Sequence, residues 1–298
     1  MKHYLKFSII VVAISLLQSC KSVDLRSDAL QKNAISNTEQ KGKELLNEAK
    51  SAMGYDKLES TKVYEANAVF NWKGIWLLMP MNAFPGNNNK NLKLRFATNS
   101  FDGQVEYLKG RKKNAIQGVQ SWEGYKKEVG SDYLKRHEHD RYIWGLATYH
   151  YLLEAPMHLP NAEIIRYAGT KKLDDINYET VYVTWGSEEP NKKYDRFLVY
   201  INPNTKFIDL LEVTINDFFL PMPKGMQHAT ARYERKETSI GAFLPSNVKI
   251  QLKGPKKLDN KVYSFALSNY QFDAFDKKLL YPIEGVEPIG FNKPDNHQ

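Results

Sequence analysis

The chain has 298 residues, with 42 Lys and Arg against 34 Asp and Glu for a net charge of +8, and it is 42% hydrophobic and 26% charged. That balance excludes a disordered or low-complexity chain and supplies apolar side chains for one large core or two small ones. Cys20 is the single cysteine, which excludes a disulfide within one chain.

Residues 1–19 read as a lipoprotein signal peptide. Lys2, His3 and Lys6 make a basic start, residues 7–17 an apolar run, and Leu17-Gln18-Ser19-Cys20 a lipidation site. The run falls short of the roughly 20 residues that span a bilayer. The expected processing adds diacylglycerol to the Cys20 thiol, cleaves just before it and acylates the new N-terminus, leaving two or three palmitate-type chains to hold the protein on a membrane. Loss of Lys2 and Lys6 lowers the charge by two, to +6. The remaining basic residues are dispersed among acids without a coherent stripe, so nucleic acid is not an expected partner.

Residues 20–42 are polar, rich in Ser, Asn, Gln and Lys, and read as a flexible lipidated tether. Residues 43–298 then form a single folded domain with a C-terminal tail. Leu45, Leu46, Ala49, Ala52 and Met53 take helical spacing, and Gly54 supplies a stop. After Ser60 the period changes to two, and Tyr64, Ala66, Ala68, Phe70 and Trp72 form the apolar face of a strand. Short strand candidates follow at 92–99, 104–109, 113–116, 121–129, 164–167, 178–185 and 196–201. Asn202-Pro203-Asn204-Thr205 is a hairpin turn because proline presets one torsion and asparagine tolerates the left-handed region. Its return strand spans 207–216, and three more strands are expected at 229–238, 244–253 and 261–272. One long helix interrupts the series at about 131–153, with Tyr142, Ile143, Leu146, Tyr149, Leu152 and Leu153 near one face and Pro156 ending it. The expected fold is mainly β with some helix (α+β): an open, strongly curved antiparallel sheet, or unclosed barrel, of about 11–12 strands with helices covering its concave side.

Four local phrases carry a resemblance: Ala52-Met53-Gly54-Tyr55-Asp56-Lys57-Leu58, Tyr151-Leu152-Leu153-Glu154-Ala155-Pro156-Met157-His158-Leu159, Tyr200-Ile201-Asn202-Pro203-Asn204-Thr205-Lys206 and Phe243-Leu244-Pro245-Ser246. With the order of elements, they make the chain resemble the LolA/LolB-like superfamily, and within it the LolA-like outer-membrane lipoproteins of Bacteroidetes type. The resemblance implies an unclosed antiparallel barrel round a hydrophobic cavity lidded by helices, which holds acyl chains in the founding members. It transfers no individual ligand-contacting residue to this sequence.

Two proline-broken stretches concentrate apolar side chains: residues 72–91, with Trp72, Ile75, Trp76, Leu77, Leu78, Met79, Met81 and Phe84, and residues 218–226. Both are candidates for a hydrophobic mouth or a membrane-dipping loop, against the alternative that they are strand ends packed in the core. The candidate cavity residues are Phe70, Trp72, Trp76, Tyr142, Leu146 and Tyr149.

Catalysis has little support. His137-Glu138-His139-Asp140 is the only dense group of possible metal ligands, but it is not His-Glu-x-x-His, and on a helix His137 and His139 would point about 200° apart. They remain weak metal candidates, no catalytic residue is assigned, and no cofactor is implied. The expected function is a cell-envelope lipoprotein, most simply of the outer membrane, that binds a lipid or other apolar ligand in the half-barrel. The alternatives are a non-catalytic accessory module docking an envelope protein partner and, third, a metal-dependent hydrolase.

Overall fold

A computed structural model describes residues 22–216, 218, 220, 224–255 and 261–291. The segment expected to be a signal peptide and Cys20, expected to be lipidated, lie outside the described residues.

The thirteen strands among the described residues join one antiparallel sheet. They are β1 (Val63–Trp72), β2 (Asn91–Ala97), β3 (Gly103–Tyr107), β4 (Ile116–Gln120), β5 (Glu123–Lys127), β6 (Lys135–Arg136), β7 (Ile164–Leu173), β8 (Ile176–Thr184), β9 (Arg196–Ile201), β10 (Ile208–Thr214), β11 (His228–Glu237), β12 (Phe243–Leu252) and β13 (Lys261–Phe272). Their order across the sheet is β6-β5-β4-β3-β2-β1-β13-β12-β11-β10-β9-β8-β7. Two meanders, β1–β6 and β7–β13, therefore meet at one seam where Trp72 pairs with Tyr263 and Phe70 with Phe265. The edges β6 and β7 do not pair, so the barrel stays open, as the alternating patterns predict.

Among the described residues, four α-helices accompany the sheet: α1 (Asp28–Gln31), α2 (Thr38–Ala52), α3 (Tyr55–Glu59) and α4 (Asp140–His158). The turn between α2 and α3 uses Gly54 in the left-handed region (φ +71°), where an added Cβ would lie 2.7 Å from the Gly241 carbonyl oxygen. On β1 the expected face, Tyr64 to Trp72 in steps of two, is buried, and α4 lies against it: Tyr149 packs 4.8 Å from Phe70 and His150 stacks 4.2 Å from Phe96. Because α4 links the two edge strands, it must cross the concave side between them.

Several expectations are corrected. The long helix spans 140–158 rather than 131–153. Its apolar spacing begins only at Tyr142, and the polar residues before it form a loop and the two-residue strand β6. Pro156 does not end the helix but sits inside its last turn. A proline there has no N–H for the carbonyl four residues back. That carbonyl, Leu152, instead accepts the Tyr233 hydroxyl at 3.1 Å, and the Leu153 carbonyl accepts the Tyr55 hydroxyl at 2.9 Å.

The segment expected to be a loose tether is packed from residue 22 onward. Leu25 and Leu30 are buried on the outer face of β7–β10 against Tyr178, Tyr182, Leu198 and Tyr200. Ser27 caps α1 and donates to the Ala168 carbonyl at 2.7 Å, while Arg26 holds both Glu189 oxygens. The helix expected from residue 43 already starts at Thr38.

In the 202–207 hairpin, Lys206 rather than an asparagine adopts the left-handed conformation (φ +63°). The tail beyond Tyr281 runs along β4 and β5, where Gln120 donates to the Ile283 and Val286 carbonyls.

Helix α4 approaches the loop after β1 so closely that a Cβ on Gly145 would lie 2.2 Å from the Ala83 Cβ. Gly145→Ala must push helix and loop apart, an overpacking cost of about 1–3 kcal/mol. A lowered urea midpoint at unchanged slope checks it, and an unchanged midpoint refutes the contact.

Candidate functional site: an aromatic cluster beneath the crossing helix

The loop between β1 and β2 divides its apolar residues between two environments. A 3-10 turn, Gly74–Leu78, leaves Ile75 65% and Leu78 81% exposed, while Met81, Ala83 and Phe84 turn inward and are buried. The asparagine run then ties the loop back onto β1. Asn88 accepts the Trp72 N–H at 2.6 Å, the Asn89 N–H donates to the Phe70 carbonyl at 2.8 Å, and Asn71 donates to the Asn89 side chain at 2.9 Å.

Phe84 thereby reaches the concave face, 5.5 Å from Phe70 and 5.6 Å from Tyr149. Phe265 stacks on Phe70 at 5.2 Å and Tyr263 on Trp72 at 4.0 Å, completing one cluster on both sides of the sheet seam. Of the candidate residues, Phe70, Trp72 and Tyr149 belong to this cluster, and Leu146 is buried in the same core. Trp76 lies in the 3-10 turn, partly buried on the rim of that core. Tyr142 is at the start of α4, 4.6 Å from the His139 ring. The second apolar stretch meets the same helix, since Phe218 packs edge-on against Trp144 at 4.7 Å. Both loops thus close over the first half of α4.

The cluster is filled by its own rings. Two surface clefts, of about 770 Å³ along the polar face of α2 and about 210 Å³ beside β6, are lined by other residues and do not reach it. Within the cluster the Trp72 Nε1 is buried with no hydrogen-bond partner among the described residues. A buried indole N–H normally finds an acceptor, so this donor marks a place where a polar group is wanted inside an apolar surround.

One arrangement is missed by reading the sequence. His150, Glu154 and His158 stand one turn apart on α4; Glu154 and His150 are fully buried. Each imidazole Nε2 donates to one Glu154 oxygen, at 2.9 and 3.0 Å, and the Asn99 N–H adds a third bond at 3.2 Å. Burial alone would raise the Glu154 pKa. The charge and hydrogen bond of His150, with those of His158, outweigh it and hold the carboxyl at about 2. The signal is the His-x-x-x-Glu-x-x-x-His spacing, hidden when the helix is ended at Leu153.

Glu212 repeats the pattern on the outer face with His228 at 2.9 Å, Tyr200 and Lys171. There too burial is outweighed, and the carboxyl lies below its ordinary value.

His137 and His139 lie in the extended connection before α4 with ring centres 5.7 Å apart. Among the described residues no group of three or more His, Cys, Asp or Glu side chains is arranged to hold a metal ion. No described helix is long and apolar enough to cross a membrane.

The fold and cluster define an open antiparallel half-barrel plugged by a helix and a folded-back loop. Proteins with similar structures include a DUF1329 family protein from Desulfovibrio piger, at 8% identity and a TM-score of 0.47, matched over 85% of this chain and 100% of that one. They also include a LolA superfamily protein from Nitrosomonas europaea, at 10% identity and 0.46 over 78% and 96%. A third is a putative outer membrane lipoprotein-sorting protein domain from Vibrio parahaemolyticus, at 8% and 0.46 over 80% and 95%. No protein-family model matches the chain, and no curated protein does.

A carboxyl depressed from 4.5 to about 2 stabilises the fold above pH 4.5, and that contribution is lost as the pH falls toward 2. Its size is on the order of 3 kcal/mol at neutral pH. Glu154→Gln should lower stability by about that amount at pH 7 and flatten the decline between pH 4.5 and 2. Parallel acid-unfolding curves for the two proteins would refute it.

Proposed function

We propose that the protein is a lipoprotein of the cell envelope, anchored in the outer membrane through acyl chains on Cys20, whose half-barrel binds an apolar or amphipathic ligand such as a lipid chain. The observation that carries this reading is the aromatic cluster at the mouth of the concave face. It is covered by a loop held mainly through side-chain and turn hydrogen bonds rather than by a strand, and it encloses the indole N–H of Trp72, which has no partner among the described residues. An alkyl chain taking the place of Phe84 would keep the aromatic surface dry, and a carbonyl or hydroxyl of its head would accept from Trp72. No reaction is assigned to the site.

A second reading, an accessory module that docks an envelope protein, is favoured by the filled interior. The two differ in what happens when the plug is loosened. Phe84→Ala in the mature chain should raise uptake of a fluorescent fatty acid several-fold, and Trp72→Phe in that background should weaken it. Native mass spectrometry of the chain exported with its envelope lipids should show a non-covalent lipid adduct. Absence of an adduct, with no gain in uptake by Phe84→Ala, overturns ligand binding in favour of docking.

A further inference from the structure

Antiparallel pairing fixes which loops share an end of the sheet. Residues 73–90, 108–115, 128–134, 185–195 and 215–227 all join strands at the end where Trp72 pairs with Tyr263 and Thr184 with Arg196. Of the seven exposed large apolar side chains among the described residues, six lie in these loops: Ile75, Leu78, Val129, Tyr133, Leu134 and Leu220. The seventh, Leu279, is in the C-terminal tail. The loops at the opposite end, 98–102, 174–175, 202–207 and 238–242, have none. Charge is also uneven, because residues 73–90 and 108–115 contain Lys73, Lys90, Lys109, Arg111, Lys112 and Lys113 and not one acid.

The start of the body adds an independent constraint. Arg26 is pinned to Glu189 in the 185–195 loop, and from there the chain runs away from that end, Ser27 reaching Ala168 and Leu30 lying among Tyr178 and its neighbours. Followed backwards, it leaves the sheet at the end with the exposed apolar side chains. Ser22 is already placed and Cys20 is two residues earlier, a reach of about 7 Å. A tail attached there has no length with which to stand the body off.

We infer that this end of the half-barrel rests directly on the membrane surface, with Ile75 and Leu78 dipping into the same leaflet that receives the acyl chains and the 108–115 loop on anionic headgroups. The inference rests on the proposed lipidation of Cys20 for its anchor, but the apolar and basic loops define the face without it. Tryptophan beside aliphatic side chains suits the interface, and the basic loop adds attraction that salt weakens. The mouth of the aromatic cluster then opens at the bilayer, so a lipid chain passes between membrane and protein without crossing water.

The test uses the mature lipidated chain in vesicles of phosphatidylethanolamine and phosphatidylglycerol at 3:1. With the Cys20 sulfur in a thioether, Leu78→Cys or Asn204→Cys provides a single labelling site for an environment-sensitive dye. The dye at 78 should shift to the blue and be quenched by brominated lipid, while the dye at 204 stays in water. Quenching at 204, or at neither position, overturns the orientation.

A second arm takes the mature chain carrying Cys20→Ser and measures co-sedimentation with the same vesicles. Ile75→Asp with Leu78→Asp should weaken binding at least tenfold, and Leu279→Asp should not. Equal binding by the double variant and its parent refutes the face. Mass spectrometry showing no acyl chain on wild-type Cys20 refutes the anchor instead, and the vesicle arm then decides the face by itself.

Discussion

The fold depends on one constraint: β6 and β7, neighbours in sequence, lie at opposite edges of a thirteen-stranded sheet, so the segment joining them has to cross its open side. Helix α4 is that segment. It could not cross as an exposed apolar rod, and the ring surface of β1, β2 and β13 gives its buried face a partner. The crossing sets the other contacts in turn. Gly145 lets the β1–β2 loop close on the helix, Trp144 receives the β10–β11 loop, and the last turn is fastened by hydroxyls from Tyr55 and Tyr233.

A helix so deeply placed still contains a carboxylate. Glu154 is shut off from bulk solvent, and its ionised form persists because two imidazoles and a backbone N–H occupy its oxygens. The imidazoles stand on the same helix, so it is the Asn99 N–H, from the loop after β2, that ties this carboxylate to the sheet.

Alternation of apolar and polar side chains makes most of the sheet legible in the sequence. On β1 it separates Tyr64, Ala66, Ala68, Phe70 and Trp72 from their neighbours, and β9 and β13 fall on the expected bounds. What stays hidden depends on partners distant in sequence. Pro156 looks like a terminator unless Tyr233 is known to relieve Leu152. Leu25 and Leu30 are two isolated apolar residues in a polar run, and only the outer faces of β8 and β9, which alternation alone would turn to solvent, give them somewhere to go. Phe70, Trp72 and Tyr149 can be grouped from sequence because strand and helix periods place them on facing surfaces. Phe84 reads as apolar, but its role as the plug depends on the asparagine contacts that fold its loop back.

The seam at the middle of the sheet bears on how the molecule is made. Strand β1 emerges early from the ribosome, while its partner β13 is the last strand among the described residues. Each meander can pair internally as it appears, yet neither can join the other until synthesis delivers that closing strand. Until then the exposed edge of β1 is an open template for wrong pairing. A chain with this topology gains from being kept extended until β13 is available to pair with β1.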